Sequence, residues 1–312
     1  MTAQQTGWVR DDAAVDAATI AISADSGESC VVGHRPALRG FAQSRINRGE
    51  TGVFTWLAER KLFGAFKKAF YQRRGTCVGQ GTARAVQDSW YHALSELGEV
   101  GRKAEVSVEA IYGGARVQIG GGRLSGDGAV GAWAAQYVHK YGAPARGIYG
   151  SYDLTKPRED LAVKWGARGN GVPSEVLEAG KRIKIRCFRC MTADDIFDAA
   201  WAGCGLAFCG GYTYGPKDRN GMSRMNAPAN HCTEMLGAFI TTSGDRGVGG
   251  QQSWGPGRPS GPSVLRYKGG SVDLREGMCG VYVDDLYRVM RNGGECWAFQ
   301  FEHGAGYRPE VS

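Results

Sequence analysis

Cys77 closes the run Gly75-Thr76-Cys77 immediately before a helix-like stretch, and far downstream come Asn230-His231 and then Gln252-Ser253-Trp254-Gly255. A thiol attacks a carbonyl only as its thiolate. Two devices generate one: an imidazole that takes the proton, and the positive end of a helix. Cys77 is placed for the helix end, and His231 is the candidate for the imidazole. His231 opens a stretch that reads as a strand, so rigid backbone would carry it. An imidazole also needs a partner on its second nitrogen to fix tautomer and ring plane, which the Gln252 amide can supply. Trp254, two positions on, can shield that bond from water. These residue types, in this order, spell nucleophilic acyl transfer.

The elements that must position them can be read from spacing. Val78, Ala85, Val86, Trp90, Ala93, Leu94 and Leu97 recur at helical intervals, which predicts a helix over 78–97 stopped by Gly98. Further helices are expected at about 107–118 and 129–141, the second ended by Gly142, with a glycine-rich loop at 120–131 between them. The later half changes character. Alternation over 181–186 predicts a half-buried strand, a short helix follows at 192–202, and strands are expected at 205–214, 233–241, 263–267 and 295–301. Helices first and strands second is an α+β pattern. Residues 52–70 read as amphipathic, and residues 1–50 as short apolar runs among turns.

At this point the sequence resembles a known family. Gly75-Thr76-Cys77-Val78 preceded by Gln72, Asn230-His231, and Gln252-Ser253-Trp254-Gly255 look like the three signature segments of papain-like cysteine peptidases. Ala132 to Tyr149 resembles that family's helix and aromatic stretch after the glycine-rich substrate loop, and Gly277-Met278-Cys279-Gly280-Val281 resembles its final strand. The resemblance implies a two-lobed fold over 70–312, with 1–69 as an N-terminal extension. A helical lobe would carry Cys77, and a β-rich lobe would carry His231 and Gln252. It further implies Cys77 as nucleophile, His231 as general base and then acid, and Gln252 as the group orienting His231. The Cys77 N–H and the Gln72 amide would form the oxyanion hole. Gly126, Asp127 and Gly128, with Trp254, would line the substrate groove, the loop offering backbone to an extended peptide. The chain departs from the pattern in four ways. Gln72 stands one position closer to the cysteine than is usual, Gln252 replaces asparagine, Val78 replaces an aromatic, and residues 1–60 show no inhibitory pro-segment.

Composition bounds the alternatives. The chain has 312 residues, 42% hydrophobic and 22% charged, which suits one large globular domain. Glycine, 49 residues, is about twice its usual share; because it is not periodic it signals loops rather than collagen. No run approaches the roughly 18 apolar residues of a membrane span. Met1 to Asp12 lacks an apolar leader, so cytoplasmic residence without secretion is expected. The net charge of +7, with basic runs at Arg60–Arg84 and Lys181–Arg189, reads as solvated faces, and no nucleic-acid partner is expected. Nine cysteines are expected to be mostly reduced and buried.

Weaker motifs are set aside. Gly126 to Gly131 fits G-x-G-x-x-G with no strand before it, so no dinucleotide is expected. Cys187 and Cys190, with Cys204 and Cys209, read as small apolar residues rather than zinc ligands. His34, His92, His139 and His303 fall in no ligand pattern, and neither metal nor cofactor is expected. Two other functions compete with peptide hydrolysis. One is a structural component of a larger assembly, such as a viral or phage particle, contacting neighbouring subunits. The other is a thiol amidopeptidase acting on cell wall.

Overall fold

The apolar stripe that follows Cys77 does form a helix, Cys77–Leu97, and Gly98 ends it in the left-handed conformation that glycine adopts without strain. This is a computed structural model describing residues 7–99, 104–183 and 185–301; His303 and Lys184 lie outside the described residues. Among those described, the helices in chain order are α1 (Asp12–Ser26), α2 (Pro36–Asn47), α3 (Leu57–Phe63), α4 (Cys77–Leu97), α5 (Val108–Gly114), α6 (Gly131–Tyr141), α7 (Glu159–Gly166), α8 (Ser174–Gly180), α9 (Ala193–Trp201) and α10 (Val283–Arg291). The strands are β1 (Gly52–Val53), β2 (Ile148–Tyr149), β3 (Tyr152–Asp153), β4 (Ile185–Cys190), β5 (Gly205–Tyr214), β6 (Met222–Ser223), β7 (Met225–Ile240), β8 (Arg246–Gln251), β9 (Val264–Tyr267), β10 (Gly270–Asp273), β11 (Met278–Tyr282) and β12 (Glu295–Phe301).

Among the described residues one eight-stranded sheet organises the molecule, in the order β4-β12-β5-β7-β8-β11-β6, with β1 added on β7. Its long member, β7, pairs β5 along one part and β8 along another, with a register shift near Gly237. Side chains on a strand alternate between faces, and β12 shows what that achieves. Trp297 and Phe299 enter one core with α1, α4 and α6, whereas Cys296 and Ala298 enter a second core with α2 and α9. A third cluster gathers Trp56, Leu236, Phe239, Leu265 and Met278. The α+β architecture is therefore as the sequence pattern predicts.

Three elements differ from expectation. The strand expected at 181–186 runs instead over Ile185–Cys190, because Gly180 to Ile183 form a turn. Of the segment Gly277 to Val281, Met278 onward belongs to β11, yet α10 and β12 follow it, and β12 lies inside the sheet. Residues 12–47 hold two full helices: Ala18 and Ile22 of α1 enter the first core, and Leu38 and Ala42 of α2 enter the second.

A buried charge cluster ties the helices to the sheet. The Arg275 guanidinium grips Asp88 of α4 at 2.7 and 2.5 Å, and its Nε lies 3.1 Å from Glu59 of α3. Glu234 of β7 faces Asp88. Burial, and then the Asp88 charge, raise the Glu234 carboxyl well above its ordinary value.

Candidate active site

Cys77 is the first residue of α4, where the helix presents unsatisfied N–H groups and the positive end of its dipole. The loop before it is held from two sides. Gly75 N–H donates to Asp127 Oδ2 at 3.3 Å, and Thr76 Oγ1 and Arg73 N–H donate to Glu159 at 2.8 and 2.9 Å. Asp127, expected in the substrate loop, thus braces the loop that leads into Cys77. Cys77 itself is completely buried. Burial, and next the neighbouring Cys232 thiol, push its own thiol far above the ordinary value. Backbone groups of Cys232, Gly7 and Val78 oppose that shift without overcoming it. At neutral pH the resting sulfur is a thiol.

Part of what buries it is the chain's own N-terminal segment. Gly7 and Trp8 N–H approach Asn230 O at 3.2 and 3.5 Å. Val9 N–H donates to Ala129 O at 2.9 Å, and Ala129 N–H returns a bond to Gly7 O at 2.8 Å. Trp8 and Ala129 form a parallel bridge. Residues 7–9 are thus a short added strand spanning the helical side and β7. The buried Trp8 indole anchors it by donating at 2.9 Å to Glu295, which also accepts from Gly131 N–H at 2.9 Å and Trp297 Nε1 at 2.8 Å. The fit is close: a Cβ on Gly7 would stand 2.1 Å from Gly75 O.

His231 lies on β7 opposite Gly210 and is fully buried. Its ring stacks on Trp254 at 3.9 Å and 16°, with Tyr212 beyond at 6.4 Å. Among the described residues neither ring nitrogen has a hydrogen-bond partner, the Cys77 thiol included. Desolvation with no compensating bond lowers the imidazole to about 3, so at rest it is neutral. The residue of β7 that meets Cys77 is the next one, Cys232, which points to the α4 side.

Gln252 does not hold His231. Its Oε1 accepts from Trp254 N–H at 3.2 Å and its Nε2 donates to Arg258 O. Longer by a methylene than asparagine, it curls back into its own loop. Gln72 links that loop to the Cys77 loop: its N–H donates to Ser253 O at 2.8 Å, its Oε1 accepts from Ser253 Oγ, and its Nε2 donates to Arg74 O at 3.1 Å. Gly126 and Gly128 have positive φ of 69° and 109°, which shapes the groove edge. Gly128 is already bonded, its N–H to Tyr112 OH and its C=O to Arg116, so Ala129 is the residue whose main-chain edge the 7–9 segment takes. Beyond Trp254 a depression of about 340 Å³ is lined by Gln252, Tyr214, Pro216, Arg258 and Pro259.

The structure therefore joins Gln72 to the Ser253–Trp254 loop, Trp254 to His231, and Asp127 to the Cys77 loop, while leaving Cys77 and His231 without a mutual hydrogen bond. Sequence reasoning missed Gly7–Val9, Ala129, the Asn230 carbonyl and Cys232. A lone tryptophan in an otherwise polar N-terminus was the available signal for the first. The paired cysteines become visible only once the strand register is known.

The whole chain was compared with known proteins. No protein-family model and no curated protein matches it. Among solved structures it is similar to xylellain, a cysteine protease from Xylella fastidiosa, with 12% identity, 96% of this chain and 92% of that chain covered, and a TM-score of 0.53. The chain has a papain-like fold. It is also similar to procathepsin B S9 from Trypanosoma congolense (10% identity, 81% and 77% covered, TM-score 0.48) and to bromelain from Ananas comosus (12% identity, 81% and 100% covered, TM-score 0.46). At 12% identity the likeness to xylellain establishes fold, which for this chain means a helical layer with Cys77 at its seam against a sheet bearing His231. No helix among the described residues is long and apolar enough to cross a membrane.

Proposed function

We propose that this chain is a papain-like cysteine peptidase held shut by its own residues 7–9. The observation that carries this reading is the strap itself. The groove over Cys77 already takes an extended polypeptide through main-chain bonds to Ala129 and Asn230, which is how a peptide substrate would be gripped. With the strap withdrawn, Cys77 would pass its proton to His231 and attack the substrate carbonyl, the developing charge falling near the α4 N-terminus. Gln72, already in the adjoining loop, would turn its amide from Arg74 O toward that charge. The C–N bond would break as His231 returns that proton to the departing amine, and water activated by His231 would then hydrolyse the thioester and restore the thiol. The partner is an unfolded peptide or protein segment.

Sealed thiol and unlinked imidazole fit the latent state of such an enzyme, because burial, joined at Cys77 by the Cys232 thiol, keeps both neutral. The test is hydrolysis of a fluorescently labelled unfolded protein by the wild type, Gly7→Ala, and Gly7→Ala combined with Cys77→Ser. Activity that rises in the first variant and vanishes in the double variant supports the reading. A Gly7→Ala protein that folds, exposes Cys77 and still cleaves nothing would sink it and favour a non-catalytic role in an assembly.

A further inference from the structure

All nine cysteines are buried and free. Two pairs among them stand directly opposite each other on neighbouring antiparallel strands: Cys209 with Cys232 across β5 and β7, and Cys190 with Cys296 across β4 and β12. Directly opposed residues point to the same face, with Cα atoms about 4.5–5.5 Å apart, inside the roughly 4.4–6.8 Å that a disulfide spans. Cys209 and Cys232 both enter the core that holds Cys77, whereas Cys190 and Cys296 enter the other.

Two glycines make the room for the first pair. A Cβ on Gly81, one turn along α4 from Cys77, would stand 2.9 Å from the Cys232 sulfur. A Cβ on Gly131, at the head of α6, would stand 2.8 Å from the Cys209 sulfur. The Cys232 sulfur therefore lies against the same helical stripe as Cys77, with Cys209 across the ladder behind it. Burial, and then the neighbouring Cys232 thiol, push the Cys209 thiol up.

We infer that Cys209 and Cys232 form a dithiol site that closes into a cross-strand disulfide and, in doing so, returns an oxidised Cys77 to its thiol. The part concerning Cys77 rests on the peptidase reading. Hydrogen peroxide converts the Cys77 thiol to a sulfenic acid with loss of water. The Cys232 thiol attacks that sulfur, releasing a second water and forming a Cys77–Cys232 disulfide. The Cys209 thiol then attacks the Cys232 sulfur, and Cys77 leaves as a thiolate that regains the proton. The two electrons taken by peroxide come, in the end, from Cys209 and Cys232.

The test is a thiol map of the reduced, full-length Gly7→Ala protein, whose strap is open over Cys77, after one equivalent of hydrogen peroxide, by alkylation and mass spectrometry. The expected product is a Cys209–Cys232 disulfide with Cys77 recovered as alkylated thiol. Cys209→Ala should stop at Cys77–Cys232, and Cys232→Ala should accumulate Cys77 sulfenic acid, trapped by dimedone. A second arm treats Cys77→Ala with diamide, which accepts the two electrons directly and should close the pair without any nucleophile. Cys190 and Cys296, remote from Cys77, should stay reduced in the peroxide arm. Recovery of Cys209 and Cys232 as thiols in both arms overturns the dithiol site and leaves the peptidase reading standing. Closure by diamide while peroxide never touches Cys77 overturns the transfer, and with it the activated thiol.

Discussion

Trp8→Ala should convert Cys77 from a sealed thiol into a reactive one. The indole is 6% exposed and gives its N–H to a buried carboxylate. Truncating a buried tryptophan costs about 3–5 kcal/mol, and that loss falls on the closed strap alone if the body of the fold keeps its packing. At about 1.4 kcal/mol per decade, the open population rises on the order of 10²- to several 10³-fold. Trp8→Phe removes mainly the bond to Glu295, worth about 1.5–3 kcal/mol, so a rise on the order of 10- to 10²-fold is expected. The assay is the rate of iodoacetamide labelling, resolved by cysteine and read below the unfolding temperature. The ranking should be wild type, then Trp8→Phe, then Trp8→Ala, at Cys77 and with no matching rise at Cys190 or Cys296. Equal Cys77 rates in all three proteins would refute the strap as the gate. A parallel rise at every cysteine would show global loosening instead.

Three further outcomes follow from buried charge. His231 titrates at about 3 in the fold against 6.5 as the ordinary value, so between these the unfolded chain binds a proton that the native state refuses. Stability should fall as pH drops through that window, by about 1.4 kcal/mol per unit and about 5 kcal/mol in all; His231→Gln, compared by denaturant midpoints from pH 7 to 4, should flatten this component. Glu234 runs the other way, its raised value making the native state bind the extra proton, so stability falls as pH rises above about 4.5. Glu234→Gln should therefore gain on the wild type with rising pH, and a constant offset between the two melting curves would contradict the assignment. Arg275→Ala strands the carboxyl groups of Asp88 and Glu59 in the interior and should destabilise by about 3–5 kcal/mol in a urea titration.

Much of the frame was legible because it rests on local rules. The stripe behind Cys77, the Gly98 and Gly142 stops and the strands at 205–214 and 295–301 follow from periodicity and punctuation, and the structure has them. The helices at 12–26 and 36–47 were not legible. Their apolar faces are narrow, and much of their burial comes from α6 and α9, which lie far away in sequence. The site was legible as a set of parts, not as an arrangement. Motif order names Cys77, His231 and Gln252. Which nitrogen meets which partner depends on how the Gln252 loop curls and on which face of β7 each side chain takes. Equally, no local signal says that Gly7 fits against Gly75, because that contact joins segments with no shared pattern.

The groove's chemistry can be read most directly with a peptidyl epoxide, which is opened only by a thiolate while the peptide lies in the cleft. In the Gly7→Ala chain, the account predicts one covalent adduct per molecule, mapped to Cys77 and abolished by His231→Ala. An adduct formed equally well without His231, or none at all while small reagents alkylate Cys77 freely, would contradict it.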